Sequence, residues 1–371
     1  MIFSFSPCYC TRNRKFFGSR ALPTRKANLM DRRQILLGAA SLLAGGAFSS
    51  ARAQARISAR VGYIPIMGAA PIFIADKEGW LKAKGVDTTF TVFESGPNMI
   101  QALASGTIDV YVAGVAPLAV ARSRGIDVRV VASTAVAENV FVAAPKLAKY
   151  FKDGVSKAEA FKAYRAAEGK AARLATQPAG SVPNTTLQYW LWEVAKADKA
   201  DVEIVPMGID ATQQAVLANA VEGASVREPA VSILQARNPG IKLVAGGDEM
   251  FPGQPGTVVA VTGAFITKNP EAVEAIVTGL IRAVAMIQTS PDQVVPHIGA
   301  ALGKGIVAPE VISKALASPA TKFRVDPRLV IEPARAMQAY QVKLGSLDKE
   351  LPFDGLFDSQ PYEKAVKALG G

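Results

Sequence analysis

From Ile57 onward short β-type runs alternate with helical stretches, and this alternation restricts the chain to an α/β architecture with largely parallel strands. The runs fall at 58–63, 87–93, 109–112, 128–132, 172–176, 202–206, 223–226 and 242–244, with helices between them. In the helix predicted at 185–195, Leu187, Trp190, Leu191 and Val194 are spaced to share one buried face, with Trp192 at the surface. After Ala260 the pattern predicts helices alone. Asn269-Pro270-Glu271 opens a long one whose Val273, Ile276, Val277, Leu280, Ile281, Val284 and Ile287 form one apolar stripe.

The order of elements repeats. At an offset of 113, Gln101-Ala102-Leu103 meets Gln214-Ala215-Val216 and Ile108-Asp109 meets Val221-Glu222; Pro117 and Pro229 then each open a helix, and Gly125-Ile126 returns as Gly240-Ile241. Two similar lobes are therefore expected. The all-helical tail has no sheet of its own and must pack back on the first lobe, giving lobe 1 as 56–140 plus 257–371 and lobe 2 as 141–256, joined by two crossovers.

The formal charge of +11 would suggest a nucleic-acid or membrane partner if it were spread over the chain. It is not. Residues 1–53 hold nine Lys and Arg against Asp31 alone, whereas the other 318 residues carry 33 basic and 30 acidic groups, so no nucleic-acid partner is expected. Within that front section Met30-Asp31-Arg32-Arg33-Gln34, an apolar run of 14 residues at 35–48 and the small-residue motif Ala51-Arg52-Ala53 have the layout of a cleavable secretory signal. The run is too short to span a bilayer. Arg32-Arg33 resembles a twin-arginine signal, although Asp31 replaces the usual Ser or Thr, so the Sec route stays open. Cleavage near Ala53 would release a periplasmic protein that starts near Gln54; Met30 is an alternative start to Met1. Both cysteines, Cys8 and Cys10, precede the signal, which leaves the body without a thiol, a disulfide or a cysteine metal site.

Three segments together resemble the nitrate, sulfonate and taurine group of periplasmic solute-binding proteins, relatives of the thiamine-precursor binders. They are Ala75-Asp76-Lys77-Glu78-Gly79-Trp80-Leu81 with Gly85-Val86, then Ser95-Gly96-Pro97 with Ala102-Leu103-Ala104-Ser105-Gly106-Thr107-Ile108-Asp109, and Gln177-Pro178-Ala179-Gly180-Ser181-Val182-Pro183-Asn184. The resemblance covers most of residues 57 to 290 and implies a two-lobed, type II periplasmic-binding-protein fold, each lobe a mostly parallel sheet flanked by helices, with a helical C-terminal region. It also implies a monomeric ABC-importer subunit that captures a small organic anion, such as a sulfonate or nitrate, and delivers it to an inner-membrane permease, with no catalysis, cofactor or metal. One departure is Val226-Arg227-Glu228-Pro229, where many members carry an aromatic and an acid before the proline.

Ligands of open α/β sheets lie beyond the carboxyl ends of strands, where helix N-termini present free N–H groups that favour anions. Met67-Gly68, Ser95-Gly96, Gly114-Val115 and Gly180-Ser181 with Asn184 occupy such places. Each has a plainer reading as a turn or helix cap. Arg227 falls at the repeat position of Gly114; it either forms a charge-assisted bond to the ligand or pairs with Glu228 or another acid. Tyr63, Ile64 and Met67 would supply an apolar wall.

Catalytic constellations are scarce. His297 is the only histidine, no G-x-S-x-G elbow occurs, and the glycine-rich stretch at 299–305 has the wrong spacing for a phosphate loop. A ligand-sensing receptor remains an alternative to import. An enzyme of the pyrimidine-precursor synthase type is disfavoured by the export signal and the cysteine-free body.

Overall fold

The computed structural model describes residues 56–302 and 307–370. The leader, the arginine pair, the cleavage position near Ala53 and residues 303–305 of the glycine-rich stretch at 299–305 lie outside the described residues.

Strands β1 (Ile57–Tyr63), β2 (Val86–Val92), β3 (Val110–Gly114), β4 (Val128–Ser133), β5 (Ala135–Val136) and β6 (Val140–Ala143) come first along the chain. They are followed by β7 (Ala172–Thr176), β8 (Val202–Pro206), β9 (Gly223–Val226), β10 (Lys242–Ala245), β11 (Thr257–Thr262) and β12 (Lys322–Phe323). One five-stranded sheet has the order β2-β1-β3-β11-β4 and the other β10-β6-β9-β7-β8, while β5 and β12 form a short ribbon. In each large sheet four strands run one way and a single antiparallel strand lies between the third and fourth of them. That odd strand is exchanged: β6 follows β4 in the chain but sits in the second sheet, and β11 follows β10 but sits in the first. The chain thus passes twice between the sheets.

The repeat is visible in three dimensions. Helices Gly96–Ala104 and Ile209–Leu217 both begin 113 residues apart, as do β3 and β9. Parallel strands need crossovers, and the crossover helices cover both faces; this is why the strands read as apolar runs.

Packing follows the predicted stripes with two exceptions. The stripe of helix Pro270–Thr289 is buried except for Ile281, which is half-buried, and Gly279 lets the helix approach helix Ala70–Lys77 closely: a Cβ there would lie 2.9 Å from that of Ala75. This helix is long and apolar enough to cross a membrane, but here it is part of the first sheet's core. Around the second sheet Trp190 packs on Phe141 with ring centroids 4.7 Å apart. The first exception is Val194, which is 43% exposed rather than buried. Helix Val182–Tyr189 continues as a π-turn over Trp190–Val194, whose i→i+5 bonding widens the turn and rotates Val194 off the face shared by Leu187, Trp190 and Leu191. The second is the tail: it is not helical alone, because β11 runs to Thr262 and β12 pairs with β5. Strands β5, β6, β11 and β12 have no counterpart in the sequence reading.

Candidate ligand-binding site

Three contacts bring the carboxyl ends of the two strand sets face to face. After β1, Met67 N–H donates to the Glu228 carbonyl at the end of β9 (2.8 Å). After β2, the Glu94 carbonyl accepts from Ile209 N–H beyond β8 (3.3 Å). At the end of β3, a Cβ on Gly114 would lie 2.8 Å from Cγ2 of Val182, which opens the helix after β7. First meets third, second meets second and third meets first, as a two-fold relation between the repeats requires. Strand ends and helix starts from both sheets therefore surround one junction, the place where such sheets hold ligands.

On the second sheet's side of this junction a cavity of about 10 Å³, room for about one water, is walled by Gln177, Pro183, Ile209, Thr212, Ser225 and Arg227 among others. It is small but polar. Gln177 Oε1, Ser225 Oγ and Arg227 Nη1 are buried without a hydrogen-bond partner, and Thr176 Oγ1, on the residue before Gln177, is likewise unpartnered. Buried polar atoms are seldom left so, and several at one cavity point to a partner that arrives from outside the chain. A much larger groove, about 770 Å³, lies between helix Ala230–Arg237 and helices Pro291–Ala301 and Pro309–Leu316. Ile233, Val295, Val307 and Ile312 make it apolar.

Arg227 is 3% exposed. Its Nε donates to Asn139 Oδ1 (2.7 Å), and its Nη1 lies 3.6 Å from Glu138 Oε1. Its acid partner is thus Glu138, and not the adjacent Glu228, whose carboxylate accepts from Ser232 N–H and Oγ–H at 3.0 Å each. Thr257 Oγ1 donates to Glu138 Oε1 (2.6 Å), while Glu138 Oε2 has no partner. Burial pushes the Glu138 carboxyl above its ordinary range, and the Arg227 charge and the Thr257 hydrogen bond pull it back. Burial likewise lowers the Arg227 guanidinium, opposed by Glu138.

Of the ten residues singled out in the sequence, Arg227 alone is in the cavity wall. Three glycines instead permit close packing. A Cβ on Gly68 would lie 2.5 Å from Glu138 Oε2, one on Gly96 would lie 2.6 Å from the Tyr111 hydroxyl, and Gly114 admits Val182. Val115 is buried at the start of helix Ala116–Ser123. The Met67 N–H is already engaged by Glu228. Ser95 sits at the start of helix Gly96–Ala104, fully buried, with its Oγ unpartnered. Ser181 behaves as a helix cap, its Oγ accepting from Asn184 N–H (3.3 Å), and Asn184 Oδ1 accepts from Gln188 Nε2. Gly180, at φ +79°, supplies the left-handed turn before that helix, and its carbonyl accepts a long bond from Gln341 Nε2 (3.4 Å).

The sequence reading missed Glu138, Thr176, Gln177, Thr212 and Ser225. Ser225 was within reach, since alternation along a strand places it on the face of Arg227. Glu138 was not, because its pairing joins positions far apart in the chain. His297, expected at the surface, is about one-quarter exposed and bonds Glu78 at 2.7 Å.

Comparison with known proteins agrees with this architecture. A protein of Brucella abortus named as a binding protein is 26% identical over 241 residues, 64% of this chain and 69% of that one. The nitrate-binding protein NrtA of Synechocystis PCC 6803 superposes with a TM-score of 0.70 at 16% identity, covering 85% of this chain and 89% of that one. The alkanesulfonate-binding protein SsuA of Xanthomonas axonopodis pv. citri, solved with MOPS bound, gives 0.64 at 18% identity, covering 83% and 100%. These two share the fold, a mixed α/β periplasmic-binding-protein architecture. The NMT1-like family matches residues 52–295, about two thirds of the sequence, and the chain belongs to the NMT1-like family.

Proposed function

We propose that the chain is the solute-binding component of an ABC importer, which captures a small polar solute between two lobes, hands it to a membrane permease and carries out no chemistry on it. The observation that carries this reading is the convergence of Gln177 Oε1, Ser225 Oγ and Arg227 Nη1, all buried without a hydrogen-bond partner, on a cavity in the second lobe beside the facing strand ends. A ligand there satisfies the orphaned atoms, and its removal exposes them to water as the lobes part. The lobes are 56–140 plus 257–371 and 141–256, and the exchanged strands β6 and β11 support this division. Closure is favoured by the contacts a ligand makes only in the closed form. Relatives named for nitrate and sulfonate binding support the importer role, as does the export signal read in the sequence. Arg227 suits an acceptor-bearing end of the ligand; whether that end belongs to the sulfonate or nitrate implied by the resemblance depends on what balances the Arg227 charge. Export, by the twin-arginine or the Sec route, places the mature chain in the periplasm.

Native mass spectrometry of the purified chain should reveal a retained small molecule. Its removal should raise the radius of gyration in X-ray scattering, and its return should reverse the change. A chain that retains no small molecule, and whose scattering no added solute alters, overturns the capture reading.

A further inference from the structure

Arg227 is the cation at the cavity wall, and three carboxylates stand near the same junction. Glu138 pairs with it directly, Glu228 is buried on the next residue, and Glu94 contacts the start of helix Ile209–Leu217. Glu138 is 1% exposed and lies in the crossover between β5 and β6, held by Thr257 at the start of β11. Two glycines are shaped around it: a Cβ on Gly68 would meet its Oε2, and one on Gly256 would lie 3.1 Å from its Oε1. The guanidinium and this carboxylate form a pair of no net charge.

We infer that Glu138 determines the charge of the ligand: by balancing Arg227 it excludes simple monoanions and selects a solute of no net charge that offers Arg227 an acceptor. This rests on the capture reading above. An anion that enters a water-excluded cleft gives up its hydration, and a neutral pair returns too little attraction to offset that loss. The unpartnered atoms agree independently. At the cavity wall Gln177 Oε1 is an acceptor that calls for a donor on the ligand, Arg227 Nη1 calls for an acceptor, and Ser225 Oγ can serve as either. A nitrate or an alkanesulfonate has acceptors only. Glu138 acts on the ligand through Arg227, and is in that sense a positioning residue for charge.

The full chain, stripped of retained solute, is titrated by calorimetry with sodium nitrate and with sodium ethanesulfonate. The wild type should show no saturable binding of either probe below about 1 mM. Glu138→Gln keeps the side-chain shape and the bond from Thr257 but frees the Arg227 charge, so it should gain affinity for both probes by on the order of tenfold or more. Adding Arg227→Met to that variant should abolish the gain, which a merely structural role of Glu138 would not produce. Equal binding by wild type and Glu138→Gln, or no gain in a folded Glu138→Gln, overturns the inference. Micromolar binding of either probe by the wild type overturns it without any variant, and leaves the capture reading to its own test by retained mass.

Discussion

The loops that end β3 and β9 occupy equivalent places in the two halves of the repeat, yet carry opposite physical burdens. The first reads Gly114-Val115-Ala116-Pro117 and is made of small or apolar residues; Gly114 is there because Val182 must come close. The second reads Arg227-Glu228-Pro229 and buries two charges, each with partners of its own. A buried charge without a partner is far more costly than a buried methyl group, so the second loop depends on Asn139, Glu138 and Ser232 while the first depends only on space. Duplicated architecture has thus been divided into one half that supplies shape and one that supplies polarity.

The strongest way to break this comparison is Arg227→Met, which gives the second loop the apolar character of the first. Glu138 is then buried with no cation, and stability should fall by about 3–5 kcal/mol at neutral pH, as measured by urea unfolding. The loss should depend on pH with a definite sign. Burial already holds the Glu138 carboxyl above its ordinary range, and removal of Arg227 raises it further. A carboxyl raised in the folded state binds more protons there than in the unfolded chain, so stability declines as pH rises from the unfolded value toward the folded one. The deficit should therefore shrink as pH is lowered toward the ordinary carboxylate range. A deficit that grows on acidification would falsify the assignment of Glu138 as the stranded partner.

The same contrast explains what could be read from the sequence. Eight of the strands lie within a few residues of their predicted places, since strands between crossover helices are apolar runs bounded by turns, a local property. The stripe of helix Pro270–Thr289 was legible for the same reason. Strands β6 and β11 were not, because each is a short apolar run that does not distinguish strand from helix, and its partner sheet is chosen by contacts distant in the chain. At the junction the glycines were noticed for their free N–H groups, whereas Gly68, Gly96 and Gly114 make room for Glu138, Tyr111 and Val182. Those neighbours are tertiary facts. Arg227 was conspicuous as a departure from the family pattern, but which acid it meets depends on how the crossovers cross.

A second prediction reverses the first by adding bulk where the structure has only space. Gly114→Leu should leave the first sheet nearly undisturbed, because the atoms within 4 Å of a Cβ at this position all belong to Val182 across the junction. Gly114 is not in the left-handed region, so no backbone strain follows. The leucine would act as a wedge that holds the strand ends apart. Affinity for the retained solute should drop by about a hundredfold, roughly 3 kcal/mol, while urea unfolding shifts by much less. Calorimetry together with scattering separates the two effects. Unchanged affinity would mean that the junction closes without the approach of Gly114 to Val182.

The smallest expected effect probes an asymmetry outside the strand ends. Helix Val182–Tyr189, in the second half, is braced by helix Ile331–Lys343 from the tail. Gln341 Nε2 donates to Thr185 Oγ1 (3.2 Å) and, more weakly, to the Gly180 carbonyl; Tyr340 OH donates to the Gln188 carbonyl (3.3 Å), and the Tyr189 and Tyr340 rings stack edge to face at 5.0 Å. In the first half, Ser95 opens helix Gly96–Ala104, the counterpart of Ile209–Leu217, without a side-chain cap bond and serves as an internal reference. Gln341→Leu fills similar volume and removes only the polar contacts. Thr185 still donates to the Ser181 carbonyl (3.0 Å), and the Gly180 carbonyl is close enough to the surface to be hydrated, so neither group is left wholly unsatisfied. The cost should accordingly be about 1 kcal/mol of stability. The sharper readout is local: amide exchange at 181–186 should quicken in the variant while exchange at 96–104 stays as it was, because only the former helix start is held by the tail. Equal acceleration in both segments would show that Gln341 supports the molecule as a whole, and that the two helix starts are not braced differently.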